Sequence, residues 1–180
     1  MTHLNELVSK RQALAREFAR IAHDDMGQRR KGSNDPYWKH PQTVADLLES
    51  YGASEPALCA AELHDTVEDT EVDYEHILEY YGKDVADLVK EVTNSPDLDG
   101  MEKEDYMNFK ILKLSNDALT IKLGDMLHNC LDKPKLKQIE RMKRNLEFLL
   151  RKRKNLLEVH RELIDTFMVG FKFKRKELRP

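Results

Sequence analysis

Apolar residues recur at three- and four-residue spacing at the start of this chain, from Leu4, Leu7 and Val8 to Leu14, Ala15, Phe18 and Ile21. That is the period of a helix with one buried face. The glycines and proline of MGQRRKGSNDP (26–36) end the helix and leave a basic loop. A second predicted helix runs through HPQTVADLLESYG and stops at Gly52. Ser54 caps a third, with Pro56 in its first turn and His64, Asp65, Glu68 and Asp69 at its end. Asp73 caps a short helix ending at Gly82, DVADLVKEVT follows as another, and NSPDLDG is a loop. Residues 102–131 read as one or two helices, and 134–168 as one long helix or two. In that last stretch Leu136, Ile139, Met142, Leu146, Leu149 and Leu150 form an apolar stripe that needs a partner surface. No segment alternates as a strand does, so the expected class is all-α, a compact bundle of about seven to nine helices.

Composition supports that class. Only 7 Gly and 6 Pro leave the chain poor in turn formers, which favours helices over many short strands. A length of 180 residues allows one domain, 1–180, with a sizeable core. Cys59 and Cys130 form no spaced framework, the opening MTHLNELVSKRQ has no secretion-signal character, and no apolar run is long enough to cross a membrane. A cytoplasmic protein with no membrane partner is therefore expected.

The net charge of −3 conceals an uneven distribution. Residues 1–132 carry 14 Lys and Arg against 27 Asp and Glu, and residues 133–180 carry 16 against 6. A basic tail can signal nucleic acid. Its apolar stripe favours a structural helical segment instead, and makes nucleic acid the weaker partner assignment.

AAELHDTVEDT (60–70) sets an imidazole and three carboxylates among apolar residues. If the segment is helical, His64 lies above Glu68 and Asp65 above Asp69, and the carboxylates repel one another. A buried unpaired carboxylate is costly, and a divalent cation would remove that cost and the repulsion together. His-Asp occurs twice in a chain with 7 His, so the dipeptide alone carries little. His23-Asp24 sits before Gly27 without an acidic pair one turn later, and reads as a solvated helix terminus. Partners for His64-Asp65 are His40 in YWKHP and Asp125 in IKLGDMLHN. Singly, these are an ordinary helix-start histidine and a buried capping aspartate. Mixed imidazole and carboxylate donors suit Mn²⁺, Fe²⁺ or Zn²⁺ better than Ca²⁺.

Taken together, YWKHP, ELHDTVEDT and IKLGDMLHN resemble the HD-domain metal-dependent phosphohydrolases, and within them the hydrolase domain of RelA/SpoT proteins and the small alarmone hydrolases. The resemblance covers roughly residues 10–135, including RRKGSNDPY and LVKEVT, with the basic helical segment 133–180 beyond it. It implies an HD-domain bundle in which His40, His64, Asp65 and Asp125 hold one Mn²⁺ per chain, or another divalent transition metal. Glu68 and Asp69 would position and activate the attacking water, Arg30 and Lys31 would contact nucleotide, and Asn129 would lie on the substrate side. The implied reaction is hydrolysis of the 3′-pyrophosphate of (p)ppGpp-like guanosine polyphosphates to GDP or GTP and pyrophosphate. The nucleotidyltransferase domain of the long RelA/SpoT proteins is not in this chain, so the expected activity is degradative.

Two positions depart from the family pattern. Met126 stands where an Arg or Lys usually follows the last metal Asp, and Leu131 where an Arg usually lies two residues beyond the Asn. Both changes remove a cation near the substrate, which leaves other nucleotides, NADPH among them, as alternative substrates. A non-catalytic metal-bound regulator that binds nucleotide or nucleic acid is the alternative of another class. Retention of Glu68 and Asp69 counts against it, because a sensor has no need of a water-activating pair.

Overall fold

The computed structural model describes residues 2–178, with side chains described from Lys10 onward, so those of Leu4, Leu7 and Val8 lie outside it. The described residues form nine α-helices: α1 Thr2–Asp25, α2 Lys39–Ser50, α3 Glu55–Leu63, α4 Thr66–Asp69, α5 Tyr74–Val92, α6 Lys103–Lys113, α7 Asn116–Leu131, α8 Leu136–Lys152 and α9 Glu158–Leu178. A single 3₁₀ turn spans Leu98–Gly100. One isolated bridge, Arg29 to Pro36, is the extended pairing among the described residues. The all-α expectation holds, and the chain divides into two compact units, residues up to Thr93 and residues from Asn94 on.

In the first unit α1, α2 and α5 pack around α3. All of α3 from Ala57 to Leu63 is buried, as a short helix that is apolar but for Glu62 requires. Ser54 caps it as expected, its Oγ accepting from the Ala57 N–H, with Pro56 in the first turn. The face of α1 differs from expectation. Gln12, Ala15, Ala19 and His23 are buried, whereas Leu14 and Ile21 are exposed. Close packing on the alanine-rich α3 explains this: small residues on both helices let the backbones approach and leave no room for Leu14. Arg16 crosses to α3 with Nε 2.8 Å from Glu62 Oε1, and also pairs with Asp46. Arg11 pairs with Glu55 at 2.9 Å and Asp84 at 2.7 Å, fastening α1 beside Gly82. Gly82 has φ 76°, a left-handed conformation that divides α5 where the helix stop was expected.

The third helix does not run to Asp69. It ends at Leu63, His64 is its C-cap, and Thr66–Asp69 is a separate turn. Thr66 donates its hydroxyl to Leu63 O at 2.7 Å, a local bond that competes with continued helix.

In the second unit α7 is buried from Ala118 to Met126 and beyond, and α9 packs along it. A Cβ on Gly170 of α9 would lie 2.9 Å from Leu131 Cδ2, so the departure at Leu131 is a packing contact. Ile139, Leu146 and Leu149 bring the α8 stripe into this unit's core, while Leu150 is exposed. Arg153 donates from Nη1 to Leu114 O at 2.8 Å and so caps the end of α6.

Candidate metal centre

Chain breaks aim the site's donors. His40 is in the first turn of α2, and His64 and Asp65 occupy the junction between α3 and α4. The break frees Asp65 from the helical spacing expected of it and turns its carboxylate to the imidazoles. Asp65 Oδ2 lies 3.2 Å from His64 Nε2 and 3.5 Å from His40 Nε2, and the two rings are 5.2 Å apart. One donor atom from each of the three residues falls within 4.8 Å of the others. Both histidines are buried, and the Asp65 side chain is 15 % exposed.

His64 Nδ1 lies 2.8 Å from Ala61 O. A carbonyl only accepts, so Nδ1 carries the proton and Nε2 is the nitrogen left to ligate. Two imidazoles and a carboxylate converging in a largely buried space fit a divalent transition metal. The structure thus brings together three of the four expected ligands. Asp125 belongs to the second unit.

Glu68 and Asp69, the pair expected to face the attacking water, follow within one turn. Glu68 is exposed and Asp69 half-buried. Burial chiefly, and the nearby Asp65 carboxylate next, push the Asp69 carboxyl above its ordinary value, against a hydrogen bond with Tyr37. A carboxylate so raised is a stronger base.

Residues that periodicity did not single out frame this cluster. Tyr37 donates its hydroxyl to Asp65 Oδ2 at 2.7 Å. His23 is fully buried and not at a solvated helix end. The chain turns back at Gly27, with φ 61°, and Gln28 Oε1 meets His23 Nδ1 at 2.6 Å while its amide donates to Asp69 O. Burial holds the His23 imidazole below its ordinary pKa. Of the basic loop, Arg30 lies over the Tyr37 ring at 5.7 Å and Lys31 is exposed.

In the second unit, Asp125 is buried on α7 and accepts from Lys122 Nζ at 3.1 Å and from the Asn129 amide. Asp125 and Met126 line a cavity of about 210 Å³ with Lys103, Lys122, Arg141 and Asn145. Lys103 and Arg141 carry no helical-stripe signal, and Lys122 is hidden in an apolar run.

The family model for the HD domain matches residues 15–146. A probable guanosine-3′,5′-bis(diphosphate) 3′-pyrophosphohydrolase of Synechocystis is 36% identical over 115 residues, 61% of this chain and 15% of that protein. The guanosine-3′,5′-bis(diphosphate) 3′-pyrophosphohydrolase MESH1 of Xenopus tropicalis is 37% identical over 124 residues, 67% of this chain and 69% of the relative. The chain thus spans a small part of the first and about two thirds of the second. A solved structure of a metazoan ortholog of SpoT, described as hydrolysing ppGpp and acting in starvation responses, matches with TM-score 0.69 and 26% identity, over 94% of this chain and 97% of that one. The lmo0812 protein of Listeria monocytogenes shares the fold, with TM-score 0.59 and 22% identity over 76% of this chain and 99% of that one.

Proposed function

This chain belongs to the HD-domain family, and from that membership we propose that it is a metal-dependent phosphohydrolase removing the 3′-pyrophosphate of ppGpp-like nucleotides, with GDP or GTP and pyrophosphate as products. The observation that carries the proposal is the cluster of buried His40 and His64 with the partly exposed Asp65, and Asp69 within one turn of it. Asp125 is proposed as the fourth ligand on the strength of the motif order, and Mn²⁺ as the resident ion on the chemistry of the donors. When bound, such an ion lowers the pKa of a coordinated water and polarises a phosphoryl oxygen.

The remaining work falls to the chain's own residues. His64 is held in one tautomer by Ala61 O, so its donor nitrogen needs no reorientation. Asp69, its basicity raised by burial, accepts the proton of the attacking water, and Glu68 orients that water. Arg30 and Lys31 bind the substrate's phosphates. The cations Lys103, Lys122 and Arg141 offset the loss of a cation at Met126 and give the second unit its own affinity for anions. Asn129 holds Asp125 from the substrate side. We place the activity in the cytosol, which suits two buried free thiols, Cys59 and Cys130. No described helix is long and apolar enough to cross a membrane.

The test is incubation of the purified protein with Mn²⁺ and a panel of ppGpp, pppGpp, NADPH and ordinary nucleoside triphosphates, with product identification. GDP or GTP plus pyrophosphate from the first two supports the proposal. Turnover of NADPH alone would keep the hydrolase and reassign its substrate, and no turnover at all would refute it.

A further inference from the structure

We propose that Tyr37 is a positioning residue of the hydrolytic site, its hydroxyl fixing the Asp65 carboxylate in the orientation that ligates metal. With His40, His64 and Asp65 taken as metal donors, as above, Tyr37 is the group that sets where one of them points. Its hydroxyl donates to Asp65 Oδ2 at 2.7 Å, the same oxygen that faces both imidazoles.

The phenol can do this because it is itself held. Its ring packs against His23 at 5.0 Å and against His40 at 5.9 Å between centroids. The Arg30 guanidinium covers it at 5.7 Å, and its backbone N–H donates to Gln28 O at 3.1 Å. A carboxylate turns readily about its last bond, so a donor on a fixed ring selects one orientation before any ion arrives. Tyr37 also joins the basic loop to the donors, since Arg30 lies on its ring.

Tyr37→Phe removes one hydroxyl and keeps the ring, so packing against His23 and His40 survives. Metal-free wild type and Tyr37→Phe are titrated with Mn²⁺ by calorimetry at a temperature below both melting transitions, where a loss of stability does not enter. Affinity should fall about 10–100-fold in the variant, the usual effect of losing an outer-shell partner. The melting temperature of the metal-free protein should change little, because the partly exposed Asp65 carboxylate can take water in place of the phenol. An unchanged affinity, with or without a drop in melting temperature, would make Tyr37 a packing residue and overturn the assignment. Absence of Mn²⁺ binding in the wild type would overturn the metal centre itself.

Discussion

Single side chains decide what the centre can do, and their roles differ in how far the sequence reveals them. His64, Asp65 and the Glu68-Asp69 pair stand out in the sequence because charged groups inside apolar sequence demand an explanation, whereas His40 joins them only through the order of the motifs, and the fold sets it beside His64 and Asp65. Tyr37, His23 and Gln28 do not stand out, because a lone aromatic or amide beside a loop has no period to betray it. His23 is the clearest case: a helix end before glycine looks solvated in sequence, but Gln28 folds back over it. Arg30 and Lys31 differ as well, one over an aromatic ring and one exposed. Replacing both with Ala should raise KM markedly and change kcat less, as expected when binding common to ground and transition states is lost. Steady-state kinetics on the double variant checks this, and the reverse pattern would move the pair into the chemistry.

Among the helices, start signals are plain in the sequence and buried faces less so. Ser54, Asp73 and Gly82 act where capping and turn chemistry place them. The face of α1 was missed because hydrophobicity marks Leu14, whereas close packing on α3 selects Ala15 and Ala19. The break after Leu63 was missed because apolar and acidic residues continue across it without a glycine or proline. Glu62, one residue before that break, is 1 % exposed, and burial pushes its carboxyl up to about 7 despite Arg16. Arg16→Ala would leave this group buried without its cation. Removing one partner of a buried pair costs about 3–5 kcal/mol when the other stays charged, but a carboxyl already at about 7 takes up a proton instead, so the expected loss at neutral pH is about 1 kcal/mol, larger at higher pH and read as a lower denaturation midpoint. At the start of α9, His160 Nδ1 accepts the Leu157 N–H at 3.2 Å and Nε2 lies 3.0 Å from Asn116 O. The ring is therefore neutral, and burial keeps its pKa below the ordinary 6.5. Protonation would forfeit the Leu157 bond, while the unfolded chain takes the proton freely. His160 thus contributes stability that is fully present above pH 6.5 and lost as the pH falls through that value toward the lower folded pKa. Glu62, raised to about 7, changes stability in the opposite sense over this range, so the readout is a difference: the gap in denaturation midpoint between wild type and His160→Asn should narrow as the pH falls from 8 to 5.

For the molecule as a whole, the bundle was legible in the helical period and the division into two units was not, because no linker composition marks Thr93 and Asn94. The basic segment 133–180 supplies Leu146, Leu149, Leu163 and Phe167 to the second unit's core, which is the use its apolar stripe anticipates. A bound divalent ion should stabilise the folded chain by mass action, by about 2.7 kcal/mol at a hundred times its Kd. For a chain of this length that is a rise of roughly 5–10 °C in Tm, reversed by chelation and smaller in Asp65→Ala. The most direct test of a hydrolytic metal centre is turnover by the Glu68→Gln, Asp69→Asn double variant, measured per bound metal ion and beside its melting temperature. Both changes keep size and remove basicity, so the variant should retain its ion and its fold. Its rate should fall by at least about 10²-fold, the smaller end of what a positioned general base contributes. Near-wild-type turnover with metal bound would contradict the account.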